Sequence, residues 1–278
     1  MIKRILIPTD GSPNSSIALQ YGFSLASFFK AEIVGLNVVD IRSLEGPLMS
    51  DISGSLGFSP IQNYLPQFQQ LLDNRSDTIL ELFKTSCLEK GVSAITKKMT
   101  GIIANIIADE ARKADLIIIS QHGEHEQWSS GLLGSTTESV VRKSPIPVLV
   151  TPASYRQLNN ILVAYDGSIE SSNALKCACA FFGKNCRDIK IVYIAQEEEK
   201  GRGLAAEIAE IAAPYNLKYE GVWLQGEAAK EILSFAQRTA MDIIVMGAFG
   251  HSRLHDMILG STASYIIRNS TIPILLHR

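Results

Sequence analysis

The chain has 278 residues, 26 basic and 28 acidic, for a formal net charge of −2, with 46% apolar and 19% charged side chains. The length argues for about two domains at roughly 100–200 residues each, and an apolar content this high excludes disorder. The near-neutral balance argues against a nucleic-acid or anionic-membrane binder, so any anion site must be local; no apolar run nears the roughly 18–20 residues of a membrane helix.

At the start, Lys3 and Arg4 precede apolar residues as in a signal peptide, but Pro8 and Asp10 cut the run short of the roughly seven to fifteen residues required. Residues 5–10 form a short, continuous run rich in β-branched residues, as a strand buried on both faces should. A helix is expected next, followed by strands at residues 31–39, 93–100, 116–120 and 148–151. Between the second and third strands, residues 43–60 are rich in Gly, Ser and Pro, and apolar periodicity resumes over 64–88. The stretch reads as an exposed loop, with a ligand-covering lid as the alternative. Ile103, Ile106, Ile107 and Ala111 recur at helical spacing. The second half repeats the alternation, with strands at residues 161–166, 190–195, 218–225, 243–246 and 274–277. There Ala229, Ile232, Leu233 and Ala236 mark a helix, and the half is shorter by about one element's worth of chain. Strands alternating with helices, twice over, predict an α/β fold with parallel sheets covered on both faces.

The two halves share more than their periodicity. Ile5-Leu6-Ile7-Pro8-Thr9-Asp10-Gly11-Ser12 is echoed by Ile161-Leu162-Val163-Ala164-Tyr165-Asp166-Gly167-Ser168. Leu133-Gly134-Ser135-Thr136 is echoed by Leu259-Gly260-Ser261-Thr262, and Ile146-Pro147 by Ile272-Pro273. A period this long means duplicated domains, at residues 1–152 and 159–278, rather than a solenoid of roughly 20–50-residue repeats.

Ligands of doubly wound sheets bind beyond the carboxyl ends of the strands. Asp10 and Asp166 stand there, although Asp-Gly-Ser is also what a strand-to-helix turn favours. In the second half Gly247-Ala248-Phe249-Gly250 follows the fourth strand, and after nine residues Gly260-Ser261-Thr262 opens a helix. Glycines admit backbone N–H groups to phosphate oxygens, and a helix N-terminus adds unpaired donors and a favourable dipole. His251, Arg253 and His255 outnumber Asp256 in between, leaving the stretch mildly electropositive.

On these residues both halves resemble universal stress protein domains, whose signature after the fourth strand is G-x-x-G-x9-G-S/T, with an aspartate closing the first strand. The resemblance spans nearly the whole chain and is complete in the second half at Gly247, Gly250, Gly260 and Ser261. It implies five-stranded parallel sheets of order 3-2-1-4-5, similar to the adenine nucleotide alpha hydrolase-like fold, packed through their fifth strands as a pseudo-twofold pair. A further homodimer is left open. It also implies ATP, with or without Mg2+. Adenine and ribose would lie near Ala164, Tyr165, Asp166 and Ile194, and the phosphates near Met246, Gly247, Gly250, Gly260, Ser261 and Thr262. Tyr165 and Phe249 depart from smaller or more polar residues and are expected to stack on the ligand or crowd it.

The first half departs further. Ser120 replaces the first glycine, ten residues separate Gly123 from Gly134, and Glu124 and Glu126 stand where phosphates would approach. Carboxylates there oppose a polyphosphate unless a cation intervenes, so the first half is expected to be the degenerate copy.

The four cysteines, Cys87, Cys177, Cys179 and Cys186, show no paired spacing and fit a reducing compartment, hence the cytoplasm. Cys177 and Cys179 read as buried structural thiols, and His251 with His255 lack the third ligand zinc needs. Trp128 reads either as an anchor against the other domain or as a loop residue. No P-loop or clamping lysine is present, so the expected protein is an ATP-binding regulatory module. A slow ATP hydrolase and a nucleotide-free dimerisation scaffold are the alternatives.

Overall fold

The computed structural model describes residues 2–40, 65–123, 134–183, 186, 188–249 and 259–278. Its first strand, β1 (Arg4–Pro8), buries Ile5, Leu6 and Ile7 almost completely. It stops two residues before the expected Asp10, because the chain there bends into a helix cap. Asp10 Oδ1 accepts the N–H of Ser12 at 3.0 Å, Gly11 takes a left-handed φ of 78°, and Ser12 Oγ accepts the N–H of Ser15 at 3.2 Å. With Pro13 in the first turn, this starts α1 (Pro13–Phe29). The first half continues with β2 (Glu32–Asp40), α2 (Leu65–Glu89), β3 (Ala94–Gly101), α3 (Ile103–Ala111), β4 (Leu116–Ser120), α4 (Ser135–Lys143) and β5 (Val148–Thr151).

The second half repeats the plan: β6 (Asn160–Tyr165), α5 (Ile169–Phe182), β7 (Asp188–Ile194), α6 (Glu198–Ala212), β8 (Glu220–Leu224), α7 (Ala228–Arg238), β9 (Ile243–Gly247), α8 (Ser261–Asn269) and β10 (Ile274–His277). A short 3-10 turn, Ala213–Tyr215, follows α6. The cap recurs here as well: Gly167 has φ 84°, and Ser168 Oγ accepts from Ser171 N at 3.1 Å. Among the described residues the shorter second half has a counterpart for every element of the first. Its helix between second and third strands has 15 residues where α2 has 25.

Strand order is β3-β2-β1-β4-β5 in the first half and β8-β7-β6-β9-β10 in the second, joined into one ten-stranded sheet. Neighbours within each half run parallel, and the halves meet where β5 and β10 pair antiparallel, with Leu149 opposite Leu275. Two apolar cores follow from side-chain alternation along the strands. One lies under α1, α2, α5 and α6, the other under α3, α4, α7 and α8, and each takes residues from both halves. On the first face the Phe29 and Phe181 rings, from α1 and α5, lie 5.5 Å apart. Among the described residues no helix is long and apolar enough to cross a membrane.

Candidate functional site

The carboxyl ends of β7, β6 and β9 lie side by side. Ala164 pairs with Val192 and Tyr165 with Tyr193, which places Ile194 at the end of the neighbouring strand. Val163 pairs with Val245, so Met246 and Gly247, which go on pairing with β10, lie at the level of Ala164 and Tyr165. Ala164, Ile194 and Met246 all belong to the α7 and α8 face of the sheet.

From β9 the chain returns as α8. Gly260 N donates to the carbonyl of Ala248 at 3.1 Å, which holds the helix start against the strand exit. Gly260 is the N-cap and supplies no side-chain acceptor, so among the described residues the first N–H groups of α8 have no side-chain cap. Ser261 is exposed and Thr262 half-buried beside it. Ala164, Ile194 and Met246 at three strand ends, with the start of α8 held to the exit of β9, make a place for an anion joined to a flat apolar group.

Asp166 follows β6 and serves the turn: its Oδ1 accepts the N–H of Ser168 at 3.0 Å and the Ser168 hydroxyl at 2.5 Å. Gly247 also has a packing reason. A Cβ there would stand 2.9 Å from Glu170 Cβ and 3.0 Å from Ser171 N, so the first turn of α5 closes on this position. Ser120, its counterpart, is buried and donates from Oγ to the carbonyl of His122 at 2.8 Å.

Tyr165 differs from the expectation that its ring meets the ligand. It is 3% exposed in the core beneath α5 and α6, and its hydroxyl donates to Glu207 at 2.8 Å. Burial pushes its phenol above the ordinary tyrosine value. Side-chain alternation sends Ala164 to the site face and Tyr165 to the other, leaving only the backbone of Tyr165 at the strand end. Phe249 is partly buried on the α7 and α8 face. Gly250, the histidines at 251 and 255, Trp128, the glutamates at 124 and 126, and the 43–60 insertion lie outside the described residues.

The first half has the same frame. Gln121 N donates to Thr151 O and Gly134 N to Gln121 O, at 2.9 and 3.1 Å, as Ala248 N does to His277 O and Gly260 N to Ala248 O. A Cβ on Gly123 would lie 3.1 Å from Asp10 Oδ2, so this loop approaches its aspartate. Two bonds here had no signal in the sequence. Asn37 Nδ2 donates to Thr9 O at 2.7 Å, and Thr137 Oγ1 to Ser120 O at 2.8 Å; in the second half Ala263 stands where Thr137 does.

Cys177 and Cys179 are buried in the core under α5, and burial pushes their thiols to about 12 and about 11. Among the described residues no three His, Cys, Asp or Glu side chains gather as a metal site.

The family model of the universal stress protein family matches residues 1–152 and again 157–278. A universal stress protein of Synechocystis sp. is 28% identical over 287 residues, covering 100% of both chains. One from Methanocaldococcus jannaschii is 32% identical over 152 residues, covering 54% of this chain and 82% of its own. Among solved structures, a universal stress protein from Archaeoglobus fulgidus DSM 4304 shares the fold at a TM-score of 0.75. It has 23% identity, over 99% of this chain and 96% of that one. The match of both halves makes the chain a member of the universal stress protein family.

Proposed function

We propose that this universal stress protein is an ATP-binding regulator of the stress response whose second half holds the nucleotide. One observation carries the reading. The start of α8, whose N-cap Gly260 has no side chain to cap it, is hydrogen-bonded onto the exit of β9, on the face that Ala164, Ile194 and Met246 share. In this reading adenine and ribose lie along Ala164, the Tyr165 backbone, Asp166 and Ile194. The phosphates take N–H groups and hydroxyls from Met246, Gly247, Gly250, Gly260, Ser261 and Thr262. The regulatory reading is supported by the loop sequence, which offers no P-loop and no phosphate-clamping lysine.

Calorimetric titration of the full chain with ATP tests this. One strong site per chain is expected, and mass spectrometry of the purified protein should release an adenine nucleotide. Two equivalent sites would contradict the degeneracy of the first half, and no heat with any nucleotide would overturn the reading.

The nucleotide-free scaffold is favoured by a different observation, the β5 to β10 pairing with cores drawn from both halves. Here the tandem chain imitates a dimer within itself. A protein that shows no ATP-induced rise in melting temperature would be read this way.

A further inference from the structure

β10 runs beside β9 with His277 paired to Gly247, and the His277 carbonyl accepts from Ala248 N at 2.9 Å. Arg278 therefore leaves the sheet next to the turn that opens the glycine loop. Its guanidinium carbon stands 5.6 Å from the centroid of the Phe249 ring. Asn173, on α5, donates from Nδ2 to the Arg278 carbonyl at 3.1 Å. The backbone is thus held by one helix and the head group by attraction to the negative face of an aromatic ring.

That position adds a cation to the described residues of the site. Among those, Ala164, Tyr165, Asp166, Ile194, Met246, Gly247, Gly260, Ser261 and Thr262 include one carboxylate and no cation. Phe249 packs on the α7 and α8 face, the face of Ala164, Ile194 and Met246, and the neighbouring Ala248 carbonyl receives the start of α8. Arg278 is exposed, so its N–H groups not turned to the ring are open to a ligand. By the matched backbone bonds of the two halves, Pro152 occupies the Arg278 position and His122 that of Phe249 in the first half. Only the second half has this cation on this ring.

We propose that Arg278, stacked on Phe249, binds the polyphosphate of a nucleoside triphosphate in the second half. This rests on the nucleotide site proposed above. The guanidinium is planar, permanently charged and able to grip two phosphate oxygens at once, and the ring beneath restricts it in advance of binding.

The test measures the affinities of the full chain for adenosine, AMP, ADP and ATP by calorimetry, in wild type, Arg278→Gln, Arg278→Lys and Phe249→Leu. Arg278→Gln should weaken ATP by about tenfold to a hundredfold, the range of a lost charged hydrogen bond. Adenosine affinity should hold within about twofold, since a lost phosphate contact leaves the base and ribose contacts in place. The lysine variant should keep part of the ATP affinity, and Phe249→Leu should lose less than Arg278→Gln but in the same order across the ligands. The side chain is exposed, so the melting temperature without ligand should stay at the wild-type value. Equal ATP binding by wild type and Arg278→Gln would overturn the role of Arg278 alone, as would an equal loss for adenosine and ATP. A wild type that binds none of the four ligands would remove the nucleotide site and this inference with it.

Discussion

Gln121 donates from Nε2 to the carbonyl of Ile267 at 2.8 Å, and the same amide reaches the Ser270 carbonyl at 3.0 Å. A residue of the first half thus closes the carboxyl end of α8, the helix whose other end opens the site of the second half. The last carbonyls of a helix lack intrahelical donors, and a buried amide across the β5 to β10 seam supplies them. The second half has Ala248 at the matching position and cannot return the bond. The two halves therefore depend on each other unequally.

Replacing Gln121 with alanine should cost about 1–3 kcal/mol, because it leaves buried carbonyls without a donor. Denaturant unfolding of the full chain measures this as a lower midpoint. An unchanged midpoint would mean that water reaches those carbonyls, contrary to the burial of Gln121 at 7% exposure.

Two glycines should respond in opposite directions to alanine. At Gly247 the new methyl would meet Glu170 Cβ and the Ser171 backbone at 2.9 and 3.0 Å, and overpacking of this kind costs about 1–3 kcal/mol. At Gly203, inside α6, nothing lies within 4 Å of a new Cβ, and removing glycine from a helix interior should stabilise by about 0.5–1 kcal/mol. Thermal melts of the two variants without ligand would separate them. A harmless Gly247→Ala would show that α5 yields at this contact.

Ser261→Ala distinguishes a nucleotide cradle from a helix start. Gly260, not Ser261, is the N-cap of α8, so the ligand-free melt should move little, within about 0.5 kcal/mol as for most surface changes. ATP binding should weaken by about 0.5–1.5 kcal/mol, or up to about 3 if the hydroxyl meets a charged oxygen. The readout is the ATP-induced rise in melting temperature. Equal rises in wild type and variant would place the nucleotide elsewhere.

Glu110, whose side chain is 7% exposed, is bridged to Lys113 Nζ at 2.6 Å and to Lys97. Hydrogen bonds from Lys113 and then Lys97 hold its carboxyl below the usual value. A depressed folded-state value means that the unfolded chain binds the proton more readily. The stabilisation is therefore fully present above the unfolded value, about 4.3, and disappears as pH falls through the folded one. Wild type should exceed Glu110→Gln in stability by a constant margin above about pH 5, and the margin should shrink below about pH 4. A margin that ignores pH would show that the carboxylate contributes through shape and not charge.

Much of the fold was legible because strands buried on both faces leave unbroken apolar runs. The ranges expected for β4, β5 and β10 coincide with the observed ones. The expected ends of β1 and β6 ran too far because an Asp in the turn before a helix cap and an Asp that ends a strand look alike in sequence; only hydrogen bonds to Ser12 and Ser168 separate them. Gly247 was read for phosphate approach, while the contact that demands a glycine in the structure is with α5, 77 residues earlier at Glu170.

Sequence alone was enough for the duplication, the α/β class and the glycine motif after the ninth strand, since these depend on local periodicity and on motifs echoed between the halves. Tertiary structure decided which way Tyr165 faces, that Gln121 reaches α8, and that Arg278 lies over Phe249. Each joins residues distant in the chain, through side chains whose partners are chosen by strand order and by the β5 to β10 seam, and a linear pattern carries neither.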